Sequence, residues 1–198
     1  MSFNKVQILF FFFLANVVFV AQSKSNFEVF NQLVDSSAVS LSSKISNLNS
    51  IYSLSNNTVK EYSVLNERVE NSLVRKGVKI THNKSENKVS YSILQATVLY
   101  SDIFKDGLFG DYLIERKFIL SGEYQIENSA SVLNSDTFYY TVTDTIPYGH
   151  ISFIENSSLP FTKSTLPAEP FFPSILEPVV AITAVAVTVL LFFSVRSK

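Results

Sequence analysis

Two histidines are the first side chains to weigh for chemistry, because a neutral imidazole is the usual general base near neutral pH. Both His82 and His150 fall in polar stretches that are predicted to be loops. The chain has no cysteine, no Gly-x-Ser-x-Gly sequence, and no histidine pair at metal-ligand spacing. The sequence therefore predicts no catalytic residue, no metal ligand and no cofactor-binding residue.

A group of carboxylates raises two further readings. Asp102, Asp106 and Asp111 lie near two glycines, but their spacing does not match the alternating ligands of an EF-hand loop, and a turn between two strands is the preferred interpretation. Asp111 and Glu115 could form a paired-carboxylate site if both faced a cleft. An envelope hydrolase that uses surface carboxylates therefore remains an alternative function.

Basic residues cluster in one short stretch of an otherwise nearly neutral chain, whose net charge is −1. We take them as a candidate partner-binding patch, the alternative being a solvated helix end; they are Arg75, Lys76, Lys79, Lys84 and Lys88. No glycine-rich phosphate loop accompanies them, so nucleic-acid binding is not expected.

Two amphipathic helices are predicted to come first. Over residues 26–49, apolar side chains recur at intervals of three and four residues, which is the period of a helix face. A short strand follows at 51–54. The second helix begins at Thr58, which forms a capping box with Glu61, and it ends at Gly77.

After Gly77 the apolar period changes to two, which is typical of strands. The alternation predicts strands at 78–80, 89–100, 112–126 and 137–143, joined by polar turns. The fold class is therefore α+β: two helices packed on a mixed, mostly antiparallel sheet, with a C-terminal transmembrane helix in addition.

The N-terminus has the pattern of a secretory signal peptide over residues 1–23. Lys5 is followed by the apolar run 6–21, and Ala21 and Ser23 supply the small residues that a signal peptidase reads. An uncleaved membrane helix is the alternative, although the run is short for a membrane span.

The C-terminus is predicted to anchor the chain. Residues 178–195 carry no charge and are read as a transmembrane helix, and 196–198 as a cytoplasmic tail because Arg196 and Lys198 are basic. Residues 157–177 contain most of the prolines and are read as a stalk. The remainder, 24–156, is the predicted extracytoplasmic domain.

The absence of cysteine bears on location. A secreted domain of this length can fold on its core alone, and bacterial envelope proteins often lack disulfides. We therefore predict a single-pass protein of the bacterial inner membrane with its domain in the periplasm. A eukaryotic type I membrane protein of the secretory pathway is the alternative.

The order helix, strand, helix and long hairpin resembles a module of bacterial envelope proteins. It is similar to the α/β module of the curli-secretion-channel, flagellar outer-membrane and penicillin-binding-protein-activator lipoproteins, and to the N-terminal domain of TolB. The similarity covers about residues 26–140 and depends on the helix end and strand at 73–80 and on the pattern at 115–120. The resemblance implies assembly or adaptor work without catalysis.

Together these features predict a non-enzymatic, membrane-anchored protein-interaction or assembly module with an envelope protein as its partner. A ligand- or lipid-sensing domain is a further alternative, and it would need an apolar cavity between the helices and the sheet.

Overall fold

The computed structural model describes residues 23–107, 110–129, 131–168 and 173–196. The predicted signal peptide lies outside these residues except for Ser23. The helices are α1 (Asn26–Lys44), α2 (Asn66–Arg75), α3 (Ile151–Ile154) and α4 (Pro173–Arg196), and the strands are β1 (Ile51–Asn56), β2 (Lys79–Thr81), β3 (Asn87–Lys105), β4 (Tyr112–Asn128) and β5 (Ser131–Pro147). Short 3₁₀ helices occupy Lys60–Leu65, Tyr148–His150 and Pro160–Thr162.

All five strands form one mixed sheet in the order β2-β1-β3-β4-β5. β1 is parallel to both β2 and β3, whereas the long strands β3, β4 and β5 form an antiparallel meander. The helices α1 and α2 pack against each other on one side of this sheet. An α+β fold with two helices on a mixed sheet is therefore what the structure shows.

Helix α1 begins at a complete capping box. The Ser25 side chain accepts a hydrogen bond from the Glu28 backbone N–H, and the Glu28 carboxylate accepts one from the Ser25 backbone N–H. The predicted apolar stripe is confirmed within the helix, where Phe30, Val34 and Leu41 are fully buried, but its last member, Leu48, lies beyond the helix and is exposed. The helix ends at Lys44, earlier than predicted, because the next residue adopts an extended backbone.

Helix α2 begins later than predicted. The capping box proposed for Thr58 and Glu61 is wrong, since residues 60–65 form a 3₁₀ helix and the α-helix runs only over Asn66–Arg75. The Thr58 hydroxyl instead accepts a hydrogen bond from the backbone N–H of Ile93 in β3, at 3.2 Å. The predicted stop is confirmed: Gly77 has φ +87°, in the left-handed region that glycine enters without steric cost.

The two faces of the sheet differ in their surroundings. On β3 and β4, alternate residues turn toward the helices and are buried, among them Val89, Tyr91, Ile114 and Phe118. The residues between them face the other side, which no helix covers among the described residues. We call this second side the open face.

The chain returns to the helices after β5. Phe161 is buried, and its ring contacts Phe30 of α1 and Tyr62 edge-on at 5.3 and 5.6 Å. Thr162 beside it is fully buried. Phe161 and Thr162 therefore pack against the helices, although the sequence predicts a stalk from residue 157; the domain boundaries stay a prediction.

The predicted C-terminal transmembrane helix requires correction. Residues 173–196 do form one helix, α4, with exposed apolar side chains over 179–193. Nevertheless, no helix among the described residues is both long enough and apolar enough to cross a membrane. The reading of residues 178–195 as a transmembrane helix is therefore not supported.

Gly122 in β4 gives a direct test of how closely the meander is packed. A Cβ at this position would lie 2.2 Å from the Ser92 carbonyl oxygen and 2.4 Å from the Phe138 ring. We expect Gly122→Ala to lower the free energy of unfolding by about 1–3 kcal/mol, the usual cost of overpacking. The measurement is urea denaturation followed by circular dichroism.

Gly149→Ala is the matched control, because a Cβ there meets nothing within 4 Å. Equal denaturation midpoints for the two variants would contradict the close approach of β3, β4 and Phe138.

Candidate functional site

The two histidines lie far from any catalytic arrangement. The His82 side chain is 80% exposed in the turn after β2, and its Nε2 lies 3.2 Å from the Glu70 carboxylate. His150 ends a 3₁₀ helix, and its Nδ1 lies 3.2 Å from the Ser23 hydroxyl. Because the two histidines contact different partners, they do not form one site.

An open pocket of about 550 Å³ surrounds the Ser23–His150 contact at the start of α1. A serine nucleophile needs a base that a third group orients, usually a carboxylate. Glu28 is the carboxylate in the lining, but its oxygen is hydrogen-bonded to the backbone and side chain of Ser25 in the capping box. Glu28 therefore belongs to the N-terminal cap of α1, and its hydrogen bonds are to Ser25 and not to His150.

The acidic residues are dispersed along the β3–β4 hairpin. Asp102 lies at a bulge in β3 with φ +41°, and Asp106 lies in the turn that follows. The Glu115 carboxylate accepts a hydrogen bond from the neighbouring Ser101 hydroxyl at 3.2 Å. Among the described residues no three acidic or histidine side chains come together as a metal site.

The five basic residues of the candidate patch occupy one end of the molecule, where α2 runs into β2 and β2 into β3. We call this region the basic end; it comprises Arg75, Lys76, Lys79, Lys84 and Lys88. The turn before β3 is held to β1, because the Ser85 hydroxyl donates to the Ile51 carbonyl oxygen at 2.7 Å. The fold thus keeps residues 75–88 together rather than spreading them over the surface.

The structure divides the basic end into two parts. Arg75 turns toward the helices and donates to the Asp35 carboxylate of α1 at 3.0 Å. Lys79 and Lys88 lie on the open face by strand register, since they pair with Ile51 and Ser53 of β1. Lys76 and Lys84 are exposed, and neither forms an ion pair with a described residue.

Asp35 joins the two helices at the basic end. Arg68 donates two hydrogen bonds to its carboxylate, and Ser72 donates one. Burial by itself would raise the pKa of Asp35, but the hydrogen bonds from Arg68 and Ser72 and the positive charges of Arg68 and Arg75 hold it below its usual value. This carboxylate thus cancels part of the positive charge on the helix side only.

A second polar cluster, which the sequence analysis missed, lies beneath α1. Arg116 of β4 is only 1% exposed, and its guanidinium donates two hydrogen bonds to the Asp144 carboxylate, at 2.6 and 2.8 Å. It also donates to the Lys24 carbonyl oxygen at 2.8 Å and to the Asn26 side-chain oxygen at 2.7 Å. The alternation of the predicted strand places Arg116 in the same set as Ile114 and Phe118, and this register is the sequence signal for its burial; its partners are far away in sequence.

Asn26 extends the cluster to two further segments. Its fully buried amide nitrogen donates to the Tyr100 hydroxyl of β3 and to the Thr162 carbonyl oxygen, both at 2.8 Å. Burial raises the pKa of Tyr100 to about 12 despite the hydrogen bond from Asn26. The hydroxyl is therefore protonated at neutral pH, and we assign the cluster a structural role.

No family model and no curated protein matches the chain. The chain is similar to a minor lipoprotein from Acinetobacter baumannii, with 12% identity, a TM-score of 0.33, and coverage of 53% of this chain and 78% of the other. It is also similar to the rare lipoprotein B from Shewanella oneidensis, with 17% identity, a TM-score of 0.31, and coverage of 48% and 68%.

Both neighbours are bacterial lipoproteins. The structural overlap is too low to carry a conclusion about function, and the lipoprotein families named from the sequence are not matched by any family model.

The bridge at Asp35 predicts acid sensitivity. Because its pKa is lowered in the folded protein, the stabilisation it provides is fully present above the unfolded value of about 4 and is lost as the pH falls through the folded pKa. Asp35→Asn should therefore lower the thermal unfolding midpoint at pH 7 and flatten the dependence of that midpoint on pH below 4.

Glu67→Gln is the control, because Glu67 is an exposed carboxylate in the first turn of α2. An unchanged pH profile in Asp35→Asn would show that the bridge contributes nothing to folding.

Proposed function

We propose that this chain is a non-catalytic interaction module of the bacterial cell envelope, which binds the acidic surface of a partner protein in the periplasm through its basic end. The observation that carries this proposal is the concentration of positive charge on Lys76, Lys79 and Lys84, none of which forms an ion pair with a described residue, in a chain of net charge −1.

The physical basis is electrostatic complementarity. A local excess of one sign raises the rate of encounter with an opposite surface and fixes its orientation, even where each exposed pair adds little affinity. Since Lys79 already donates to the Asn49 carbonyl oxygen at 3.4 Å, its ammonium is held at the surface near β1. Lys79 and Lys88 thus lie on strands of the sheet, and the turn that carries Lys84 is held to β1 through Ser85.

The alternatives from the sequence have less support. A sensing domain needs a cavity between α1 and the sheet, but the rings of Phe30 and Phe118 meet edge-on there at 5.4 Å, and Phe161 packs behind them. A carboxylate hydrolase needs two convergent acids. Glu115 is hydrogen-bonded to Ser101, and Asp111 is exposed at the hairpin end.

The test is charge reversal of the basic end in cells. The test variant is the triple substitution Lys76→Glu, Lys79→Glu, Lys84→Glu. Chemical cross-linking should recover at least about tenfold less partner protein with this variant than with the wild-type chain, because complementary contacts become repulsive. Mass spectrometry with isotope-labelled wild type as reference measures the ratio.

Lys44→Glu, Lys60→Glu, Lys163→Glu is the matched control, since these three lysines are exposed elsewhere on the domain. Equal loss in both triple variants, or no loss in either, would contradict the proposal. Recovery of lipid rather than protein, again dependent on the basic end, would assign the surface to anionic headgroups instead.

A further inference from the structure

Strand β5 is the feature that the proposed function leaves unused. It is an edge strand, with β4 on one side and no strand on the other among the described residues. It is also long, running over Ser131–Pro147. A long open edge presents unpaired backbone N–H and C=O groups, which are a template for pairing with another chain.

Soluble proteins normally protect such an edge with lysines, prolines or bulges. β5 contains no lysine, arginine or glycine, and its one proline, Pro147, is the last residue. The register shift in the pairing of β5 with β4 lies near the start of β5, between Val132 and Asn134. Residues 135–146 therefore form a regular edge that carries none of these devices.

The two acidic residues of β5 do not protect it either. Inward-pointing charges can discourage pairing, but Asp144 is bound by the guanidinium of Arg116 and Asp136 accepts a hydrogen bond from its own neighbour, Thr137, at 2.9 Å. Both carboxylates are engaged inside their own chain.

Exposed apolar side chains lie on both faces of the strand near its middle. Tyr139 is 63% exposed on the open face, and Val142 is 41% exposed on the helix face beside Phe118. One added strand would cover both residues at once, because a neighbouring strand contributes side chains to both faces of the sheet. A ligand on a single face would cover only one of them.

We propose that β5 pairs with β5 of a second copy of this chain, antiparallel and about a two-fold axis at Tyr139, so that two five-stranded sheets become one. Two-fold pairs are the commonest homo-oligomers. The strand is suited to itself, because it is uncharged apart from the two engaged aspartates and rich in threonine and tyrosine, which pair favourably across strands.

Charge excludes the neighbouring register about Tyr140, and the high exposure of Tyr139 favours an axis at Tyr139. Pairing about Tyr140 would place Asp136 opposite Asp144 of the second copy, and like charges directly opposite are destabilising. Pairing about Tyr139 keeps each face continuous and sets Asp136 opposite Val142 and Asp144 opposite Asn134 of the second copy. Tyr139 then meets its own equivalent.

The test uses the absence of cysteine from the chain. Single variants Thr137→Cys, Tyr139→Cys, Thr141→Cys and Thr143→Cys are made in the full chain, held in detergent micelles that cover the apolar side chains of α4, and oxidised with diamide. Leu99→Cys is the control, since Leu99 is similarly exposed on the same open face of β3. Non-reducing electrophoresis measures the disulfide-linked dimer.

We expect the dimer yield to peak at Tyr139→Cys, at about five times or more the yield of Leu99→Cys, since only a residue on the axis meets its equivalent within disulfide distance. Adding Thr143→Lys to Tyr139→Cys should cut this yield by about half or more, because a lysine on the edge disfavours pairing. Leu99→Lys added to Tyr139→Cys should leave it unchanged.

Equal yields at all β5 positions and at Leu99→Cys would overturn the proposal, as would a peak at Tyr139→Cys that Thr143→Lys does not lower. Association through α4 raises every yield alike and cannot produce the peak. The outcome is independent of the basic end, so the proposed function and this pairing can fail separately.

Discussion

A guanidinium group buried in the middle of a sheet must find its hydrogen bonds inside the protein, and this requirement organises the fold. Arg116 is always charged, and leaving it unpaired would cost several kcal/mol. It obtains four hydrogen bonds from three places: Asp144 on β5, the backbone just before α1, and the side chain of Asn26. Asn26 then holds β3 and the chain after β5.

The hydrogen bonds of Arg116 also determine which face of the sheet the helices cover. The cluster fixes the start of α1 against β4, so α1 and its apolar stripe cover the helix face, with α2 attached through Asp35. Within the part of the chain that the structure describes, the open face, the basic end and the edge of β5 are left without a covering helix or strand. The surfaces that we assign to partners, the basic end and the edge of β5, are therefore surfaces that α1 and α2 do not cover.

Much of the architecture could be predicted from periodicity. The shift from a helical to an alternating pattern at Gly77 correctly predicted the order of elements, and the apolar stripe of α1 identified its buried face. The capping box at Thr58 was wrong because the Thr58 hydroxyl is used by β3, a tertiary contact that local sequence does not reveal. The transmembrane reading of the C-terminus, which depends on the length and lack of charge of residues 178–195, is not supported by the helix described there.

The sites were harder to predict than the fold. The basic residues were identified as a cluster, but only the structure separates Arg75, which Asp35 binds, from the lysines of the open face. Alternation places Arg116 in register with Ile114 and Phe118, but it does not reveal the hydrogen-bond partners, which lie in segments distant in sequence. The open edge of β5 likewise depends on strand order, which no local pattern encodes.

The central claim is that Arg116 and Asn26 act as one unit that joins α1 to the sheet. A double-mutant cycle tests it most directly: the free energies of unfolding of Arg116→Met, Asn26→Ala and the double variant are measured by urea denaturation of the full chain. Residues in one hydrogen-bond network couple by about 0.5–3 kcal/mol. We predict a coupling above about 1 kcal/mol, with the double variant less destabilised than the sum of the singles. Additive effects, within about 0.5 kcal/mol, would contradict the account.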